Sequence, residues 1–169
     1  WETVQELYSE RRDPDAGSKA ALFEAPTGFG KTESFLGPVY KMLRDNPDET
    51  TVLVYPRTAL LQNQLERVLK HLHSMRGDGP SELSVGVYVG NMPYEISDVE
   101  TNWKFFDSGH QARFKLANCW CGTENESHAF EYHGSSNTYT LKCENNPEHK
   151  FTDRELMLSR KDISQNPPN

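Results

Sequence analysis

Ala25-Pro26-Thr27-Gly28-Phe29-Gly30-Lys31-Thr32 is the stretch whose reading decides the fold. The apolar run Ala20, Ala21, Leu22 and Phe23 precedes it and an amphipathic run follows, which predicts the order strand, loop, helix. Small residues at Ala25, Gly28 and Gly30 let the backbone close around a phosphate with its N–H groups turned inward. A helix starting near Gly30 adds the positive end of its dipole to that anion site. Lys31 is placed to reach the β- and γ-phosphates of a nucleotide, and the Thr32 hydroxyl to ligate Mg²⁺. The loop alone implies nucleotide binding.

Working outward, Phe35, Leu36, Val39 and Leu43 fall on one helical face until Asp45-Asn46-Pro47-Asp48 ends the pattern. Thr51-Val52-Leu53-Val54-Tyr55 is a continuous β-branched and apolar run, the pattern of a parallel strand buried on both faces. Leu61, Leu65, Val68 and Leu72 then keep helical spacing through to His73. The stretch from Leu83 to Val89 alternates and predicts a third strand ending at Gly90, a turn glycine or a backbone-contact point. Strand–helix–strand–helix order implies right-handed βαβ units in a doubly wound parallel sheet of the α/β class. In such sheets ligands gather at the carboxyl ends of strands, so Pro56-Arg57-Thr58 shares a face with the phosphate loop. Arg57 offers a cationic fork there, and Thr58 is suited to cap the following helix. An ordinary cap beside a solvated arginine is the alternative.

Ala25 stands where the general phosphate-loop pattern has its first glycine. Ala-x-Thr-Gly-x-Gly-Lys-Thr, with Glu33 after it, resembles the loop of superfamily-two helicases of the DEAD/DEAH type. Pro56-Arg57-Thr58-Ala59-Leu60 followed by glutamines, Gln64 among them, is similar to the helicase segment that grips a nucleic-acid backbone. The resemblance covers residues 20–90. It implies a RecA-like first motor domain that uses ATP and Mg²⁺, with Lys31 and Thr32 as the catalytic residues present. It further implies DNA or RNA as partner, a single strand foremost, and a second RecA-like domain. Helicases of this type often carry an upstream glutamine that reads adenine. Gln5, on a predicted helix with Val4, Leu7 and Tyr8, is the residue in that place, with a solvated glutamine as the alternative.

The acidic motif that holds Mg²⁺ and activates water has no counterpart, because no Asp-Glu pair follows an apolar strand. The chain is therefore expected to be an incomplete first motor domain of a longer helicase or translocase, inactive by itself. A P-loop kinase or transferase is the competing enzyme class, and a zinc-dependent interaction module on a non-hydrolysing nucleotide fold is the competing non-enzyme. A kinase needs an acceptor site within the same domain, and 56–64 suggests a strand-gripping loop instead.

Composition bounds these readings. The 169 residues suffice for one domain core and a small insert, and 35% hydrophobic content with 25% charged residues predicts long polar loops or an exposed appendage. A net charge of −7 excludes a generally basic nucleic-acid binder, so any such contact is local. No apolar run approaches the ~18 residues of a membrane span and no signal-peptide pattern occurs, so a cytoplasmic, membrane-free protein is expected.

The three cysteines, two of them in Cys119-x-Cys121, suit a metal in a reducing compartment better than a disulfide framework. The Cys119–Gly122 stretch is expected as a tight thiolate turn. A hairpin follows, with strands at 130–133 and 138–142 around the turn residues Gly134-Ser135-Ser136-Asn137. Closing that hairpin returns Cys143 to Cys119 and Cys121, and His149 lies on the next short loop. Three thiolates and one imidazole make a closed tetrahedral Zn²⁺ site, structural rather than catalytic. His128 competes with His149 as fourth ligand, whereas His133 pairs near the hairpin tip and is excluded. The predicted organisation is 1–117 as motor-domain part, 118–151 as a zinc-ribbon-like β-hairpin insert, and 152–169 as a return segment. In position and composition the insert is similar to those of some large prokaryotic defence or CRISPR-associated helicases. Residues 91–117 give no clear role: Trp103, Phe105, Phe106 and Phe114 with Lys104, Arg113 and Lys115 suit packing beneath the insert or a stacking surface for single strands.

Overall fold

The computed structural model describes residues 31–76, 83–90, 92–98, 112–123, 126–134 and 138–168. The expected first strand, loop residues 25–30, Gln5, Trp103, Phe105 and Phe106 lie outside the described residues. The chain divides into two compact units between Thr51 and Val52.

In the first unit, α1 (Lys31–Asp45) buries Leu36, Val39 and Leu43, as the spacing predicts. Pro38 sits inside it without ending it. Asn46 closes the helix, its backbone N–H and its side-chain amide both donating to the Met42 carbonyl at 2.9 Å.

The second unit opens with a correction. Thr51–Tyr55 is not a strand: its backbone is irregular, with Val52 78% and Val54 84% exposed. A parallel strand is held by neighbours on both sides, and among the described residues none pairs with this run. Helix α2 (Thr58–Met75) follows and buries Leu65, Val68, Leu69 and Leu72. The third strand shortens to β1 (Val85–Gly86), and its neighbour comes from beyond the cysteine segment. It pairs in parallel with β6 (Leu156–Met157), the Val85 N–H donating to the Glu155 carbonyl at 2.8 Å and the Val87 N–H to that of Met157 at 3.1 Å. Gly90 lies in a turn with open space around it. The last helix, α3 (Arg160–Gln165), is capped by the Ser159 hydroxyl, which accepts from the Asp162 N–H. Gly86 lets Ile163 of α3 and Pro168 beyond it pack closely on β1: a Cβ there would sit 3.0 Å from both side chains, which would have to give way.

Between β1 and β6 lies an antiparallel sheet in the order β2 (Arg113–Thr123), β3 (Glu126–Gly134), β4 (Tyr139–Cys143), β5 (Lys150–Thr152). The expected hairpin is the β3–β4 pair, with Tyr132 opposite Leu141 and His133 opposite Thr140. The sheet begins at Arg113, five residues before the insert boundary expected at 118. The Cys119–Gly122 stretch is strand, not a tight turn, and this corrects the sequence reading. Alternation in β2 places Phe114 and Leu116 inside, then switches parity so that Ala117 and Cys119 are buried. That switch coincides with a register shift against β3 between Phe114 and Asn118, the signature of a bulge. Phe114, Phe130, Phe151, Leu116 and Leu141 are fully buried and give the sheet a core of its own.

One buried carboxylate joins this sheet to α2 and β1. Glu155 accepts from the Thr152 N–H at 2.9 Å and the Thr152 hydroxyl at 3.1 Å through Oε2. Its Oε1 lies 2.9 Å from Arg76 Nε, at the end of α2. The Arg76 guanidinium also stacks 4.6 Å from the centre of the Phe151 ring. Burial lowers the Arg76 pKa, and the Glu155 charge works against that shift. Tyr139 adds a second tie, its hydroxyl donating to the Leu156 carbonyl. Glu155→Gln leaves the guanidinium without its counter-charge, and the expected loss is about 2–3 kcal/mol of unfolding free energy. Urea unfolding of the two proteins checks it, and an unchanged midpoint would show that the pair contributes nothing net.

Candidate metal centre

Cys119 and Cys121 are two apart in β2, and the period of two in a strand turns their thiols to one face. Cys143 is the last residue of β4, opposite Phe130 in the hairpin. The chain then turns through 144–149, and the Cys143 N–H donates to the His149 carbonyl at 2.9 Å, closing the turn on itself. That closure carries the His149 ring back over the thiols. Its Nδ1 lies 3.1 Å from Cys119 Sγ, and Cys121 Sγ lies 3.5 Å from Cys143 Sγ.

All four donor atoms fall within 4.8 Å of one another. A zinc tetrahedron with Zn–S bonds of ~2.3 Å has S···S edges near 3.8 Å, so the cluster has the dimensions of one metal ion. Cys119 and Cys143 are buried, and no disulfide joins the three cysteines. Burial pushes the Cys119 and Cys121 thiols up and the His149 imidazole down. Without a cation the cluster therefore favours neutral thiols and neutral imidazole. A divalent ion reverses the balance for the thiols by taking them as thiolates, and it takes the imidazole in the neutral form that burial already favours. Four protein donors leave no open position for substrate, which suits a structural ion.

The histidines separate as their geometry dictates. His128 pairs with Cys119 across β2–β3, places Nδ1 3.2 Å from Cys121 Sγ, and meets the Asn145 side-chain amide with Nε2 at 2.8 Å. It touches one thiol from outside the four-donor cluster. His133 lies at the hairpin tip, exposed, its Nε2 3.6 Å from a Glu131 carboxylate oxygen.

A row of contacts from α2, which sequence reasoning missed, packs beside the cluster and the sheet that carries it. Gln62, Glu66, Leu69, His73 and Arg76 recur at helical spacing, beside the apolar stripe of Leu65, Val68 and Leu72. The Gln62 amide donates to the Lys115 carbonyl at 2.7 Å, and Glu66 accepts from the Asn118 N–H at 2.8 Å. His73 Nε2 donates to the Glu148 carbonyl at 3.2 Å, with its ring 4.8 Å edge-on to His149 and 5.2 Å from Trp120. Trp120 in turn lies 4.7 Å from His149. The 62/66/69/73/76 spacing reads as a helical stripe, but nothing in the sequence shows that Gln62 and Glu66 face β2 backbone, His73 the 144–149 turn and Arg76 the Glu155 carboxylate.

The nucleotide and nucleic-acid candidates fall as follows. Lys31 is the first residue of α1 and Thr32 follows in its first turn. Pro56, Arg57 and Thr58 are exposed at the start of α2. The expected cap is corrected by one residue: Arg57, extended at φ −137° and ψ 140°, is the N-cap and makes no side-chain cap bond, while Thr58 is already helical. Gln64 is partly buried, and its Oε1 has no hydrogen-bond partner among the described residues.

A DEAD/DEAH box helicase family model matches residues 3–101. The match spans the phosphate loop, α1 and the Arg57 segment, and it covers more than half of the chain. The chain belongs to the DEAD/DEAH box helicases. No curated protein and no solved structure matches it. Family membership brings an ATP-dependent, helicase-type function, ATP and Mg²⁺ use, nucleic-acid binding and a partnering second RecA-like domain. It also implies the RecA-like α/β fold, to which α1, α2 and the β1–β6 pair belong in kind. The match ends before β2, so the four-stranded sheet and its Cys₃His cluster lie outside the residues this helicase shares with the family model. Among the described residues no helix is long and apolar enough to cross a membrane.

Proposed function

We propose that this chain is the ATP-binding part of a cytoplasmic helicase or translocase that moves along or unwinds DNA or RNA, with one structural Zn²⁺ in an inserted β-sheet. The observation that carries the motor reading is the family match across Ala25–Thr32 and Pro56–Thr58. Both segments run directly into a helix, α1 at Lys31 and α2 at Thr58, so each sets backbone N–H groups at a helix start for a phosphate. In this reading Ala25–Gly30 wrap the nucleotide phosphates, Lys31 neutralises the β- and γ-phosphates, Thr32 holds Mg²⁺, and Gln5 reads the adenine. Arg57 and Thr58, with Pro56 and Gln64 behind them, hold the backbone of a single strand. Hydrolysis needs a water-orienting carboxylate and a trans cation; with the second RecA-like domain, ATP closes the two domains on the strand and hydrolysis reopens them. The organisation is a motor-domain part, a zinc-bearing insert and a return segment that rejoins the motor through β6, like the inserts of prokaryotic defence helicases.

Zinc is the ion of choice because soft thiolates discriminate against oxygen-preferring cations. The donor set fits: Cys119, Cys121, Cys143 and His149 Nδ1 would hold the ion, and what it supplies is cross-linking of β2, β4 and the 144–149 turn.

Lys31→Ala is expected to abolish nucleotide binding, read with a fluorescent ATP analogue, because the phosphates lose their main cation. Unchanged affinity would remove Lys31 from the site. Arg57→Ala should weaken binding to all oligonucleotides alike and lower the slope of log K against log salt by about one. A slope equal to wild type would take Arg57 off the track.

Metal analysis of protein purified under reducing conditions should find one zinc per chain. Cys143→Ser should lose it, His149→Ala should weaken it by more than the ~10-fold that even loss of a ligand's hydrogen-bonding partner costs, and His133→Ala should leave it unchanged. Zinc-free wild type would defeat the site, and release by His128→Ala but not His149→Ala would exchange the two histidines.

A further inference from the structure

We infer that His73 is a positioning residue through which metal occupancy fixes α2, and hence the Arg57–Thr58 end of that helix; this rests on the zinc and nucleic-acid readings above. Three observations carry it. First, the imidazole that would ligate the metal is itself a wall of the α2 seat. His149 packs edge-on against His73 at 4.8 Å and beside Trp120 at 4.7 Å. Second, the His73 ring hydrogen-bonds the Glu148 carbonyl, of the residue before that ligand, within the turn that the metal would lock. Third, the seam does not stop at His73. Gln62 and Glu66 bond backbone of β2 immediately before Cys119, and Arg76 reaches Glu155 after β5. The helix is thus held at intervals along its length by backbone and side chains that the four ligands cross-link.

The 144–149 turn is anchored at its start, where Glu144 bonds the Ala129 backbone and pairs with Arg113 at 3.0 Å, and the Asn145 amide meets His128 at 2.8 Å. Its second half is held by hydrogen bonds: the His149 N–H to the Asn146 carbonyl at 3.0 Å, the Glu148 N–H to the Asn146 side chain at 3.1 Å, and the Asn146 amide to His149 Nε2 at 3.3 Å. Pro147 and Glu148 are exposed and add no apolar core. Hydrogen bonds facing water open more readily than a packed core, and an ion on His149 would pin them. With metal on His149 Nδ1 the ring and the Glu148 carbonyl are fixed, and His73 has a rigid seat. Without it, His73 has a mobile one, and the C-terminal half of α2 keeps its apolar stripe and the Arg76–Glu155 pair but loses a contact that fixes its position. A helix moves as a rod, so loosening its far end shifts the exposed Arg57 and Thr58 at its start. Nucleic-acid affinity in this helicase is therefore tied to metal occupancy of the insert.

The test uses the 169-residue chain with zinc bound and after a zinc-selective chelator that spares Mg²⁺. Amide hydrogen exchange across 58–76 is the primary reading. In wild type, zinc removal should speed exchange in the second half of α2 by about tenfold or more. In His73→Ala, zinc stoichiometry should stay at one per chain, with α2 exchanging fast whether or not zinc is present. Binding to a fluorescein-labelled oligothymidylate should fall several-fold on zinc removal in wild type and be insensitive to it in His73→Ala. Protection of α2 that is the same with and without zinc, or a chain that carries no zinc, overturns the proposal. If α2 loosens and oligonucleotide affinity does not move, the link from α2 to nucleic acid is overturned, and the salt slope of Arg57→Ala shows whether the gripping reading fails with it. If His73→Ala retains the zinc dependence of exchange, coupling runs through Gln62 and Glu66 and the role assigned to His73 is overturned.

Discussion

Cys119, Cys121, Cys143 and His149 draw together the end of an antiparallel sheet that hydrogen bonding alone leaves poorly closed. The ladder is irregular where it matters most: β2 and β3 lose register on either side of the Asn118–Cys119 pairs, and β5 is three residues long. Phe114, Phe130 and Phe151 fill the middle of the sheet, but the 144–149 turn is polar and contributes no such filling. Among themselves the three thiols and the imidazole make only weak hydrogen bonds, because a thiol is a poor donor and a poor acceptor. With an ion the same atoms become four strong bonds across two strands and a turn. Trp120 and His73, and through His73 the helix that carries it, pack against that end.

Helix α2 faces two demands at once, and its sequence divides them between adjacent stripes. Leu65, Val68 and Leu72 supply ordinary apolar burial, worth on the order of 2 kcal/mol for each side chain. Gln62, Glu66, His73 and Arg76 instead meet backbone groups and a carboxylate of the cysteine-bearing sheet. Polar contacts of this kind add little net stability each, about 1 kcal/mol, but they tolerate no sliding. A one-residue slip would leave the Asn118 N–H and the Lys115 carbonyl without their partners. The apolar stripe thus holds the helix down and the polar stripe fixes where along its axis it lies. For a helix that begins with an exposed arginine, axial position is what sets the reach of that side chain.

The parts of this architecture that could be read from the sequence are those specified locally. The β3–β4 hairpin announces itself by alternation around Gly134–Asn137, and the donor set by residue type and by the return of Cys143 along that hairpin. Helices α1 and α2 follow from their apolar spacing. The misses share one cause. Thr51–Tyr55 has strand composition, but a strand exists only beside a partner, and composition does not say whether one is present. The start of β2 was hidden because a bulge switches burial from Phe114 and Leu116 to Ala117 and Cys119, and period-two reading fails across the switch. Cys-x-Cys looked like a turn because metal knuckles favour turns; in a strand the same spacing turns both thiols to one face without one. The polar stripe of α2 was visible as a pattern, yet its partners lie some fifty residues downstream, where only the fold brings them.

The four-stranded sheet lies in the chain between β1 and β6, within the connection that joins this parallel pair. Closing a longer loop between two parallel strands is thermodynamically mild, about 0.6 kcal/mol for each doubling of length. The length of the insertion is therefore a small obstacle; orientation is the larger one, since a tethered sheet free to swing would pull on both strands. Two contacts at the point of return remove that freedom. The Tyr139 hydroxyl bonds the Leu156 carbonyl, tying β4 to β6, and Glu155 holds Thr152 on one side and Arg76 on the other while its own carbonyl receives the Val85 N–H. One residue thus ties together the cysteine-bearing sheet, α2 and the parallel pair. Its neighbour Leu156 is the first residue of β6, so the chain leaves the four-stranded sheet at the point where that sheet is fastened to the β1–β6 pair. With α2 bonded along β2 as well, the four-stranded sheet has contacts at both its ends that oppose swinging about the connection.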